Sequence, residues 1–188
     1  MLRVDDVLRG VVRAWLSSDG FSAEETREAH RRSLQGDPAQ KDRKSKLQAL
    51  INSRLGVYNR QRELTPGDGN CQFIAVARGL GLSDGAHVEL RARVVAYLMD
   101  HREEFEGFQE GGSWDAYIAY MSAPHPNVGW GDHVTLTVLT RIYKCEIQVV
   151  TDKPGQLYVN TITPPIIEKG RITIAHYDEV HYESTVAI

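Results

Sequence analysis

Apolar residues recur at helical spacing through most of the chain and give way to short strand-like runs in its last quarter. Val4, Val7, Leu8, Val11, Val12, Trp15 and Leu16 fall on one stripe and predict an amphipathic helix over residues 3–17. Ser17-Ser18-Asp19-Gly20 ends it, and Ser22 with Glu25 makes a capping box that opens a second helix toward about Ser33. Gly36-Asp37-Pro38 breaks the pattern. A charged segment, Lys41 to Lys46, then leads into a third helix carrying Leu47, Leu50, Ile51 and Leu55. After a polar turn, Phe73, Ile74, Val76, Ala77 and Leu80 mark the buried face of another helix. Val88, Leu90, Val94, Val95 and Leu98 predict one from His87 to about His101, and Trp114 to Met121 a shorter one with Tyr117 and Tyr120 half-buried. Residues 122–129 read as a loop, and Asp132 caps a helix through Leu136, Leu139 and Ile142. Four strands follow, over Cys145 to Thr151, Leu157 to Ile162, Arg171 to His176 and Val180 to Val186. Helices first and strands last predict an α/β domain of the α+β type, its small, mostly antiparallel sheet packed between helices.

Two segments far apart in the sequence carry candidate chemistry. In Pro66-Gly67-Asp68-Gly69-Asn70-Cys71-Gln72-Phe73, a glycine-rich turn runs straight into a helix. Asn70 suits the N-cap, which places Cys71 at the first helical position. There the unpaired N–H groups and the positive end of the helix dipole favour a thiolate. With the N–H groups of Gly67 to Gly69, they form a donor set for an oxyanion. The second segment, Arg171 to Thr185, reads as two strands around a polar turn and holds His176 and His181. A cysteine nucleophile needs an imidazole that is near in space, not in sequence. His133 suits a helix start, while His30, His87, His101 and His125 fall on solvated helix ends or loops.

Composition narrows the classes. The 188 residues suit one domain, with or without a helical extension, and 41% hydrophobic with 25% charged residues is ordinary for a soluble globular chain. No apolar run reaches membrane-spanning length, and Met1 to Asp6 lack the apolar core of a signal peptide. Cys145 opens an apolar strand and reads as a small buried hydrophobe. Pairing it with Cys71 would consume the nucleophile, so a reducing compartment, the cytoplasm, is expected. Two distant cysteines make no zinc pattern and no phosphate loop is present, so neither metal nor cofactor is expected. Residues 1–62 hold 13 Lys and Arg against 8 Asp and Glu, leaving 9 and 17 for residues 63–188. The second part, at −8, suits a partner with a basic tail. The basic part mixes signs and has few aromatics, so no nucleic-acid partner is expected.

The Asp68-Gly69-Asn70-Cys71-x-Phe73 motif, paired with His181-Tyr182-x-Ser184 near the C-terminus, resembles the ovarian tumour (OTU) family of cysteine proteases. Gly129-Trp130-Gly131-Asp132-His133-Val134-Thr135-Leu136, ahead of a helix and then a strand, is similar to that family too. The resemblance covers about residues 60–188 and implies a papain-like fold, with residues 61–188 as catalytic domain and 1–60 as a helical extension, a candidate arm for ubiquitin. It implies hydrolysis after the C-terminal Gly-Gly of ubiquitin or a ubiquitin-like protein by a monomeric enzyme, working in its own cytoplasm or delivered into a host cell. Cys71 would be the nucleophile and His181 the base, with His176 the competing histidine. Family triads carry Asn or Asp two residues after the histidine. Here that position is Glu183, so Glu183, Asp178 or a water would orient the ring. Asp68 either joins the catalytic set or holds the oxyanion turn of Gly67, Gly69 and Asn70. Trp130 either walls a glycine-sized channel or belongs to the core. The alternative implied by Glu183 is an OTU-like binding module that no longer turns over.

Overall fold

The computed structural model describes residues 38–108, 113–123, 129–178 and 181–188. The two helices predicted before Pro38, and the loop around His125, lie outside the described residues. Helix α1, Pro38–Gly56, begins at a proline that needs no amide donor in the first turn. The Lys41–Lys46 segment is therefore helical rather than a lead-in. Strand β1, Arg60–Glu63, follows, then helix α2, Cys71–Gly79. Helix α3 spans His87–Asp100, α4 Arg102–Phe105, α5 Trp114–Ser122 and α6 His133–Tyr143. Strands β2, Glu146–Thr151, β3, Val159–Ile162, β4, Arg171–Tyr177, and β5, His181–Ala187, complete the described chain.

The five strands form one sheet in the order β1-β5-β4-β2-β3. Only β2 and β4 run parallel, with Ile147 opposite Ile172 and Val149 opposite Ile174; the other neighbours are antiparallel. The α/β arrangement and the mostly antiparallel sheet match expectation. Strand β1 does not, because Arg-Gln-Arg-Glu has no apolar alternation to announce it. It forms by pairing with β5, where Arg62 faces Thr185 and Glu63 faces Ser184.

Successive strand residues point to opposite faces. On one face Ile147, Val149, Ile172, Ile174 and Tyr182 join Phe73 and Val76 of α2, Leu90, Val94 and Leu98 of α3, and Leu136 and Leu139 of α6. On the other, Val150, Ala175 and Tyr177 pack with Ile51 and Leu55 of α1. The sheet is thus enclosed by helices, and α1 belongs to its packing. Cys145 is wholly buried in the larger core, burial pushes its thiol pKa up, and both cysteines are free.

Candidate active site

Between β1 and α2 the chain turns through Gly69, whose φ of 86° lies in the left-handed region that glycine enters without strain. The Asp68 carboxylate accepts from the Asn70 N–H at 2.9 Å and closes this turn. The first helical bond runs from Ile74 N–H to Asn70 C=O at 2.9 Å, so Cys71 is the first helical residue. The N–H groups just before that bond are not spent within the helix. Asn70 does not cap through its side chain, contrary to the sequence expectation. Its φ of −104° and ψ of 2° are not the extended geometry of a capping residue, and its Oδ1 instead accepts from Arg91 Nη2 at 2.9 Å.

Arg91 braces the turn from beneath. At 8% exposure, its guanidinium donates to the carbonyls of Gly69 at 3.2 Å and Gly129 at 2.7 Å, and lies 4.2 Å from the centre of the Phe73 ring. Nε makes no hydrogen bond among the described residues. Burial pulls the Arg91 pKa down, against the pull of Tyr120, Asp68 and Cys71.

The loop into Cys71 is also pinned to β5. Ser184 donates its N–H to Thr65 Oγ1 at 3.1 Å and its hydroxyl to Glu63 at 2.8 Å, while Arg78 of α2 holds the Leu64 carbonyl at 2.7 Å. The serine of the His-Tyr-x-Ser motif thus ties the cysteine loop to the histidine strand. A Cβ on Gly67 would lie 3.8 Å from His181 Cε1 and 3.9 Å from Nδ1, so the loop passes along that edge of the ring.

The β4–β5 register sorts the histidines. Tyr177 pairs with His181 and Ala175 with Glu183, which puts Tyr177, His181 and Glu183 on one face. His176 pairs with Tyr182 on the other and stacks on it at 4.1 Å. Asp178 sits in the intervening turn at φ 56°, where its carboxylate meets Arg43 at 2.5 Å and its N–H meets Asp152. That position serves the turn, not the imidazole.

Glu183 is 1% exposed. Its Oε1 accepts from the Tyr177 hydroxyl at 2.9 Å and lies 3.6 Å from His181 Nε2, an ion-pair distance longer than a hydrogen bond. Its Oε2 accepts from Arg62 Nη1 at 2.6 Å. Burial alone would favour the neutral acid, but His181, Tyr177 and Arg62 hold the Glu183 pKa below the usual value. Burial also opposes a charged His181, yet Cys71 and Glu183, flanking the ring, outweigh it and raise the His181 pKa to about 9. Cys71 is only 8% exposed, and its thiol is one of the two groups that push the His181 pKa up.

The segment before α6 completes the surroundings. Asp132 caps α6 through a capping box with Thr135, as the pattern predicts. Gln72, beside the cysteine, donates to the Asp132 carbonyl at 3.0 Å and accepts from Thr135 at 2.6 Å. A Cβ on Gly131 would overlap Gln72 Oε1, and one on Gly129 would come within 2.6 Å of the Tyr120 carbonyl, so only glycine allows this approach. Trp130 between them is 53% exposed, which excludes the core alternative. Its N–H donates to the Tyr120 hydroxyl at 3.1 Å. His133, the first residue of α6, is exposed.

Sequence reasoning missed Arg62, Tyr177, Gln72 and Arg91. Arg91 alone left a signal: a cation in the otherwise apolar row that Val94 and Leu98 continue.

Comparison with known proteins bears on the same region. A family model described as OTU-like cysteine protease matches residues 66–184. The chain is 31% identical over 134 residues to the OVARIAN TUMOR DOMAIN-containing deubiquitinating enzyme 10 of Arabidopsis thaliana, covering 71% of this chain and 36% of that one. It therefore spans about a third of that relative's length. Among solved structures, the OTUD1 OTU domain superposes with a TM-score of 0.61 at 22% identity, over 74% of this chain and 95% of that one. An OTU deubiquitinase from Wolbachia pipientis wMel, bound to ubiquitin in its crystal structure, superposes with a TM-score of 0.53 at 16% identity, over 69% and 96%. At these identities the structural likeness establishes the shared fold.

Proposed function

The chain belongs to the OTU-like cysteine protease family, and from that premise we propose that it hydrolyses the peptide or isopeptide bond after the C-terminal Gly-Gly of ubiquitin or a ubiquitin-like protein. The single observation that carries this reading is a His181 ring with Nε2 3.6 Å from the buried Glu183 carboxylate and a pKa that Cys71 and Glu183 together raise to about 9.

The Cys71 proton passes to His181, leaving a thiolate beside an imidazolium that Glu183 stabilises. The thiolate attacks the glycine carbonyl, and the oxyanion forms over the first N–H groups of α2 and the Gly67–Gly69 turn. The imidazolium protonates the leaving amine as the carbon–nitrogen bond breaks, which leaves a thioester. His181 then takes a proton from water, hydroxide adds to the thioester, and the carboxyl product departs as the sulfur regains its place. Asp68 and Arg91 act on the shape of the turn. In this reading Trp130, exposed on a loop tied to Gln72, would line the approach to Cys71. The acidic residues 63–188 suit the arginine-bearing tail of ubiquitin. A free Cys71 calls for a reducing compartment, and one copy of the chain supplies the whole relay.

The three-sided hold on Glu183 argues against a pure binding module, which has no use for an oriented imidazole. Purified protein is expected to cleave ubiquitin bearing a C-terminal fluorogenic amide, and Cys71→Ala to lose that cleavage while keeping its melting temperature. Cleavage undiminished in Cys71→Ala, or absent from wild type across ubiquitin and several ubiquitin-like substrates, would sink the reading.

A further inference from the structure

We propose that Arg62, which precedes the segment matched by the family model, is a positioning residue of the catalytic relay that acts through Glu183. The inference rests on the hydrolase reading above.

Arg62 faces Thr185 across the β1–β5 pair, on the same side of β5 as Glu183 and His181, which makes it a diagonal neighbour of Glu183. Its side chain is 13% exposed, and Nη1 meets Glu183 Oε2 at 2.6 Å. Nε donates to Asn52 Oδ1 of α1 at 2.9 Å, and the guanidinium lies 5.7 Å from the centre of the Tyr177 ring. One guanidinium is thus fixed at two edges and delivers one of them to the carboxylate. Tyr177 holds the other oxygen of Glu183. With both oxygens engaged, the carboxylate has one orientation, and that orientation aims Oε1 at His181 Nε2.

Glu at this position needs such a clamp. Its arm is one methylene longer than that of Asp or Asn, so it has one more torsion through which to swing away from the imidazole. A carboxylate at this depth without a cation would also take up a proton or pull toward water. Arg62 removes both escapes. Helix α1, through Asn52, thereby supports the orientation of the ring.

The test compares wild type, Arg62→Gln, Arg62→Lys, Glu183→Gln and the double variant Arg62→Gln/Glu183→Gln. Three quantities are read: kcat and KM on ubiquitin bearing a C-terminal fluorogenic amide, the iodoacetamide alkylation rate of Cys71, and the melting temperature. Arg62→Gln is expected to lower kcat about tenfold to hundredfold, the size of effect that a misplacement of about 1 Å produces. KM should stay within about twofold, alkylation of Cys71 should slow in parallel, and Arg62→Lys should recover part of kcat. In the Glu183→Gln background the loss of Arg62 should change kcat by less than about twofold, within ordinary additivity error. If Arg62→Gln fails to fold, Glu183→Gln against the double variant decides, since neither leaves a buried carboxylate unpaired. A further loss in the double variant larger than that overturns the proposal, as does wild-type kcat in Arg62→Gln while Glu183→Gln is impaired. A wild type inactive on every ubiquitin-like substrate overturns the substrate reading instead, and the alkylation rates then judge Arg62.

Discussion

With Arg62, Tyr177 and His181 around it and 1% exposure, the Glu183 carboxylate is oriented by protein groups. It acts on His181 as an ionised neighbour that helps to raise the ring pKa to about 9. That has a direct consequence for rate. The imidazolium needed to protonate the leaving amine persists until the pH passes about 9, so the alkaline limb of kcat/KM should fall there. Glu183→Ala should lower kcat by roughly tenfold to ten-thousandfold, as loss of an orienting residue does, and move that limb to lower pH. A pH–rate profile checks both, and an alkaline limb unmoved by Glu183→Ala would remove Glu183 from the relay. At this scale Cys71 and His181 were legible, because each sits in a dense local motif. That Glu183 rather than Asp178 lies beside the ring was not, since it depends on strand alternation and on a turn in which Asp178 adopts a positive φ.

Arg91 reaches from the interior of α3 to the cysteine turn and to Gly129, and so joins three segments with one side chain. Arg91→Met would leave the Gly69 and Gly129 carbonyls and Asn70 Oδ1 without this donor, at about 1–3 kcal/mol for each acceptor left unsatisfied. Denaturant unfolding should show a loss of about 3 kcal/mol or more, with a fall in kcat as the turn under Cys71 loosens. Unchanged stability would show that Arg91 braces nothing. Gly129→Ala should slow turnover by pushing the Trp130 loop off Tyr120, and full activity on the fluorogenic substrate would refute that placement. The helices were readable wherever apolar residues repeat, from His87 to Asp100 most cleanly. Strand β1 was not, because its residues are polar or charged and its pairing partner lies about 120 positions away. Asn70 was misread as a side-chain cap for a related reason: no local pattern announces that a buried guanidinium will claim its oxygen.

At the scale of the molecule, among the described residues, the sheet carries a helical layer on each face, and α1 supplies the smaller one. Ile51→Ala and Leu55→Ala each remove a wholly buried side chain and should cost about 2–5 kcal/mol. The relay itself ties stability to pH. His181 has its pKa raised from 6.5 to about 9, so the stability gained from its charged form is complete below 6.5 and disappears as the pH rises through about 9. Glu183 has its pKa depressed, so its contribution is present above 4.5 and fades as the pH falls below that value. The melting temperature should therefore be highest between these limits, and His181→Ala should flatten the alkaline decline. A decline just as steep in His181→Ala would break the link between the relay and stability. The layered α/β plan followed from the order of elements, whereas the contribution of α1 to the site, through Asn52 and Arg62, is a product of the third dimension.

The most direct measurement is the rate at which ubiquitin bearing a C-terminal electrophile labels Cys71, compared among wild type, His176→Ala and His181→Ala. Wild type and His176→Ala should label at similar rates, with the mass increase confined to the peptide holding Cys71, and His181→Ala should be slower by about a hundredfold or more. Equal labelling of His181→Ala, or a loss confined to His176→Ala, would contradict a thiol activated by His181.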